Sequence, residues 1–270
     1  MNPDDYFAQQ ASISAVVARY VATIGRYFQQ PKLGVLDWMN LLHILFPPVS
    51  QHRYQSAALA RRFYDAQRAE AHPELPPAVY PHADMNFEDF AAGMDPARIP
   101  MSRPSAPDNA VAQLALHAVR EVENGGRQQI IHAVEDDPAT HIIRGWARIA
   151  GDDHPCAWCL MLISRGPVYQ GTVTAGLNLG EYRAEKMIAA GEDVAPFMKA
   201  WHAGCRCRVV PVFKTEGWAG QSAAAQASRQ WASATREAAA RIDSGEARSD
   251  NLNRETLNAL RRRLDHSAAA

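Results

Sequence analysis

All four cysteines of this 270-residue chain fall in two short clusters that lie far apart in the sequence. His154-Pro155-Cys156-Ala157-Trp158-Cys159 carries a C-x-x-C pair, and His202-Ala203-Gly204-Cys205-Arg206-Cys207 carries H-x-x-C-x-C. A chain that concentrates its thiols in this way pins two distant segments together. A tetrahedral zinc site takes four thiolate or imidazole ligands, commonly two of them from a short C-x-x-C turn. Cys156 and Cys159 fit that half. Cys205 and Cys207 are two apart, so both side chains leave the same face of an extended segment. Counting His202, five candidates compete for four places. Cys156, Cys159 and Cys205 come first, and the fourth ligand is His202 or Cys207.

The spacing leaves two other states open: disulfides in an oxidising compartment, or packed thiols with no ligand. Residues 1–10 are acidic and polar where a secretory leader needs a basic region and an apolar core, which sets the expectation of synthesis in a reducing compartment.

Enzymatic readings of the same motif meet obstacles. Pro155-Cys156-x-x-Cys159 is half of a zinc-deaminase signature whose other half is H-x-E. The one H-x-E is His72-Pro73-Glu74, in a proline-rich stretch ill suited to open a catalytic helix. A redox C-x-x-C needs a βαβ setting, and the flanking residues read as helix before and loop or short strand after. No H-E-x-x-H, phosphate-cradling glycine loop or G-x-S-x-G occurs. The expectation is a structural Zn2+ site, with no catalytic residue and no organic cofactor. His132, His141 and His154 read as isolated surface or core histidines.

With 47% apolar and 21% charged residues the composition is globular, and the length suits one large or two small domains. The densest apolar run, residues 38–48, is too short to cross a bilayer and is broken by His43 and Pro47. A net charge of −1 gives no global field for nucleic acid, so any contact with DNA has to come from a local patch.

Along the chain, Ile13, Val16, Val17, Tyr20, Val21, Ile24, Tyr27 and Phe28 recur at helical spacing on a long N-terminal helix that ends near Pro31 and Gly34. Residues 36–46 read as a buried helix stopped by Pro47-Pro48. Ser50 then caps a further helix to about Ala71. In it Phe63 and Tyr64 read as facing inward with solvated arginines beside them, a contact of Arg61-Arg62-Phe63-Tyr64 with a partner protein being the alternative. The proline-rich residues 72–107 read as extended around a short helical stretch at 86–93. Ser105-x-x-Asp108 resembles a capping box. Val111, Leu114, Ala118 and Val122 form a helix face that weakens at Gly125-Gly126 and continues through Ile130, Ile131 and Val134. Pro138 opens another helix, with Ile142, Ile143, Trp146 and Ile149 on one side, ended by Gly151. Residues 166–174 are turn-like and β-prone, 181–190 helical, and 208–213 a strand. From Trp218 the chain reads as a solvated helix pair, with Trp231 and Leu257 free to dock on a partner. The division expected is 1–71 (N-terminal helical region), 72–107 (proline-rich arm or linker), 108–215 (core with the cysteine cluster) and 216–270 (Ala/Arg-rich helical tail).

The residues Cys156-Ala157-Trp158-Cys159-Leu160-Met161-Leu162, Ser164-Arg165-Gly166-Pro167-Val168-Tyr169, His202-Ala203-Gly204-Cys205-Arg206-Cys207 and Pro211-Val212-Phe213 resemble the Mu F-like head morphogenesis proteins of tailed phages. Within that family they are most similar to minor capsid proteins of actinobacterial phages and prophages. The segment Ala58-Leu59-Ala60-Arg61-Arg62-Phe63-Tyr64 is also similar to that group, and the resemblance covers about residues 50–215.

The resemblance implies a low-copy head component, made in the host cytoplasm and located in the virion. It would associate with the portal protein, the major capsid protein or the inner shell, and assist assembly or genome delivery. It implies no membrane association, no small-molecule substrate and at most a weak contact with packaged DNA. A metal- or thiol-dependent enzyme of the virion and a nucleic-acid-binding module are the alternatives. The fold expected is α+β, mostly helical, with a small β element braced by the cysteine/histidine cluster.

Overall fold

The computed structural model describes residues 1–29, 33–79, 81, 84–103, 109–151, 155–167, 201, 203–205 and 207–268. Among the described residues the fold is mostly helical with one small sheet, as the sequence implied. It separates into two compact units. The first comprises Met1–Glu70, Glu74–Ala133 and Trp201–Cys205; the second comprises Ala71–Pro73, Val134–Ala200 and Arg206–Ala270.

The first unit is built on helices α1 (Pro3–Tyr27), α2 (Val35–Ala71), α3 (Phe87–Met101) and α4 (from Ala110). Asn2 and Asn86 cap α1 and α3, each side-chain oxygen accepting a backbone N–H three residues on, from Asp5 at 2.8 Å and Asp89 at 2.7 Å. Val17 and Val21 of α1, Leu41, Leu42, Leu45 and Val49 of α2, Phe90, Met94 and Met101 of α3, and Leu114, Ala118 and Val122 of α4 form one core. The apolar arc of α1 is wider than this core needs. Val17 and Val21 are buried, but Val16, Tyr20 and Tyr27 are exposed.

Three proline and glycine expectations fail here. α2 does not stop at Pro47-Pro48 but runs through both, and Ser50 lies inside it instead of capping a new helix. A proline inside a helix costs about 3 kcal/mol or more. Fully burying a Leu or Val side chain returns about 1.5–3 kcal/mol, and Leu41, Leu42, Leu45 and Val49 on either side of the prolines are all buried. Burial outweighs the lost hydrogen bonds. By the same logic α3 continues past Gly93 through Pro96 and Pro100, so residues 87–101 are helical and not extended. Phe63 and Tyr64 are fully buried, as expected.

The third case is α4, which does not weaken at Gly125-Gly126 but runs unbroken from Ala110 to Glu135. The glycines allow close approach. A Cβ on Gly125 would lie 2.6 Å from the Arg53 carbonyl oxygen, and one on Gly126 would lie 2.7 Å from Ser56 Oγ. Gly126 N–H donates to Ser56 Oγ at 3.1 Å, and that hydroxyl donates to Gln10 Oε1 at 2.7 Å. Helices α1, α2 and α4 are thus joined at one level.

On α4, burial pushes the pKa of His117 down to about 4, with Arg120 adding to the shift and a backbone hydrogen bond to Gly93 opposing it. The folded chain therefore holds His117 neutral, while the unfolded chain takes up a proton below the ordinary value of 6.5. This contribution to stability is full above that pH and is lost as pH falls toward about 4. Urea midpoints of His117→Gln should fall less steeply over that window than those of the parent chain. Parallel curves would remove His117 as their cause.

The second unit contains β1 (Gly145–Ile149) paired antiparallel with β2 (Arg208–Val212), helix α5 (Ala157–Ile163), and the pair α6 (Gln221–Asp243) and α7 (Leu252–Ala268). The strand at 208–212 matches the reading of the sequence. The helix expected after Pro138 is instead a single 3-10 turn, Thr140–Ile142, followed by β1. Every residue of β1 is buried, so its sequence shows no polar alternation, and its apolar spacing mimics a helix. Pro211 lies opposite Trp146 and is tolerated because, among the described residues, the sheet has two strands and each is an edge strand.

Helix α5 packs on β1 and on both α6 and α7. Ala157, Ala234, Ala259 and Leu260 form their core with Trp231 against it. Of the two residues read as free to dock on a partner, Leu257 is buried in this unit and Trp231, partly buried, packs against its core. Gly220 precedes α6 at φ +90°, and a Cβ there would lie 2.1 Å from Ile149 Cγ2, so only glycine fits. The capping box at Ser105 and Asp108, the segments 168–174 and 181–190, and His154 lie outside the described residues.

Candidate metal centre

Helix α5 and strand β2 position the thiols. Cys156 is the N-cap of α5, with extended backbone, and its Sγ accepts the Cys159 N–H at 3.3 Å. Cys159 lies in the first turn, where the whole seven-residue helix is buried. Cys205 and Cys207 stand just before β2, on the two-residue spacing that sends both side chains one way.

The Sγ atoms of Cys159, Cys205 and Cys207 all lie within 4.8 Å of one another, and the three residues are 3%, 6% and 2% exposed. All four cysteines are thiols. Zinc–sulfur bonds of about 2.3 Å in a tetrahedron hold sulfurs about 3.8 Å apart, so the three thiols need only small rotations to meet one ion. Soft thiolate ligands suit zinc better than oxygen-preferring cations.

Of the five residues singled out from the sequence, the structure brings Cys159, Cys205 and Cys207 together. Cys156 is exposed and is not in this group. His202 lies outside the described residues. His132 and His141 are not in the group either.

One residue of this neighbourhood was not singled out in the sequence. Arg127 of α4, 2% exposed, donates to the Cys205 carbonyl oxygen at 2.8 Å and to Glu123 Oε2 at 2.7 Å. Its guanidinium carbon lies 4.9 Å from the centre of the Trp201 ring. Glu123 also accepts from Ser14 Oγ at 2.9 Å. A buried cation is therefore fixed against the backbone that carries Cys205. The only hint was the four-residue Glu-to-Arg spacing, which is far more common on solvated helix faces.

Residues 2–234 match the VG15 protein family. The chain belongs to that family. The Gene 15 protein of Mycobacterium phage L5 is 45% identical over 280 residues, covering 98% of this chain and 95% of its own length. The Gene 15 protein of Mycobacterium phage D29 is 46% identical over 260 residues, covering 93% of this chain and 94% of its own. No solved structure matches. This VG15 protein is thus a phage-type protein, and among its described residues no helix is long and apolar enough to cross a membrane.

Proposed function

We propose that this VG15 protein is a minor capsid protein of a tailed phage or prophage, bound at the portal vertex or the inner shell during head assembly. The observation that carries the reading is the gathering of Cys159, Cys205 and Cys207 beside the two-stranded sheet. These are the residues through which the sequence resembles Mu F-like head morphogenesis proteins. Near-full-length similarity to two mycobacteriophage proteins supports a phage setting.

On this reading the thiols hold a structural Zn2+ and the chain performs no catalytic step. The protein is made in the host cytoplasm and ends in the virion. Its partners are the portal protein and the major capsid protein, and its contact with packaged DNA is weak. In the one basic triplet, Arg262 and Arg263 are both turned to Glu237, at 2.7 and 2.8 Å, which limits what the triplet offers a phosphate. Co-expression with the portal protein of the same genome should yield a complex that survives gel filtration. Two proteins that elute separately, together with absence of the chain from purified particles by mass spectrometry, would sink the assembly role.

A further inference from the structure

Helix α1 presents an apolar and charged face that the first unit leaves uncovered. Residues of an α-helix advance by about 100° each, so Asp5, Gln9, Ser12, Val16, Tyr20 and Tyr27 fall on one arc about 80° wide. Val16, Tyr20 and Tyr27 are 43%, 37% and 75% exposed. Tyrosine is among the residue types that most often anchor a protein partner. Asp5 stands in the first turn and Arg26 in the last, and neither forms an ion pair among the described residues. Beside the arc, Ser12 and Ile13 of α1 and Tyr54, Ala58 and Leu59 of α2 line an open groove of about 380 Å³.

We propose that this face binds the same face of a second copy of the chain, with the two α1 helices antiparallel and Val16 on the two-fold axis. The register follows from the sequence. With Val16 opposite itself, Ser12 lies level with Tyr20 of the second copy, and Asp5 lies beside its Arg26. A two-fold axis perpendicular to a pair of helices keeps each flank facing its own equivalent. Ile13 and Tyr20 share one flank, so Tyr20 of the second copy meets the groove beside Ile13. Asp5 and Arg26 share the other flank, so two opposite-charge pairs form together. This centre aligns Asp5, Arg26 and the exposed aromatics at once. An acidic start and a basic end also suit the helix dipole, so the discriminating test is exchange of the charges.

The test uses the full chain in sedimentation equilibrium. The parent chain is expected to dimerise at about 0.1 mM or below, as befits an interface smaller than that of an obligate dimer. Asp5→Arg and Arg26→Asp should each weaken the dimer about tenfold, and the double exchange should recover most of the loss. Circular dichroism of each variant separates loss of association from loss of the helix. Under mild oxidation Val16→Cys should give a dimer in which mass spectrometry finds residue 16 joined to residue 16, and Ala15→Cys, on the flank, should not. A parent chain that stays monomeric at that concentration would overturn the proposal. So would folded single variants that dimerise as well as the parent.

Discussion

Cys207→Ser should remove nearly all of about one zinc ion per chain from protein prepared under reducing conditions, whereas Cys156→Ser should retain most of it. The difference follows from position. Cys207 is one of three buried thiols within 4.8 Å of each other, while Cys156 is exposed and caps α5 through its sulfur. Cys159→Ser and Cys205→Ser should behave like Cys207→Ser. Binding to a structural site is folding free energy, so loss of the ion should lower the melting temperature by about 10 °C in a chain of this size. Elemental analysis and calorimetry on the same samples check both parts. A folded, fully reduced parent chain with no metal would end the zinc reading. Equal losses in Cys156→Ser and Cys207→Ser would place Cys156 among the ligands.

Arg127→Ala should destabilise the chain by about 3–5 kcal/mol, because it leaves a buried carboxylate without its cation. The side chains of Arg127 and Glu123 are 2% and 7% exposed and lie 2.7 Å apart. The same change removes the donor to the Cys205 carbonyl. Glu123→Gln in the Arg127→Ala background should recover part of the loss, since the uncompensated charge is then absent. Urea unfolding of the two single variants and the double variant measures the coupling. A cost below about 1 kcal/mol, typical of exposed pairs, would show the network to be dispensable.

The helices were legible where one face repeats at helical spacing. Val111, Leu114, Ala118 and Val122 mark α4, and all four are buried. Proline and glycine misled, because they report local cost and not the tertiary gain that opposes it. Pro47, Pro48, Pro96 and Pro100 all lie inside helices that bury residues close by, Leu45 and Val49 in α2 and Met94, Ala97 and Met101 in α3. β1 was missed for the converse reason: a strand covered on both faces loses the alternation that identifies it.

In the candidate site, residue type and spacing were enough to single out the thiols. They were not enough to rank them. Whether Cys156 joins the others or caps a helix depends on the backbone conformation at that residue, which the C-x-x-C pattern does not specify. Arg127 did not stand out because, apart from Glu123, the groups that give it a role, Trp201 and the Cys205 carbonyl, are distant in sequence.

The contact of Gly125 and Gly126 with Arg53 and Ser56 determines how the helical unit is able to move. Sliding α4 along α2 by one turn, about 5.4 Å, would replace the glycines with Glu121 and Val122 or with Gln129 and Ile130, whose side chains have no room against the α2 backbone. Tilting about the same point needs no such exchange. The glycine step is therefore a pivot without a slide. If this unit changes shape when a neighbour binds, its helix ends will swing while the level of Gly126, Ser56 and Gln10 stays fixed.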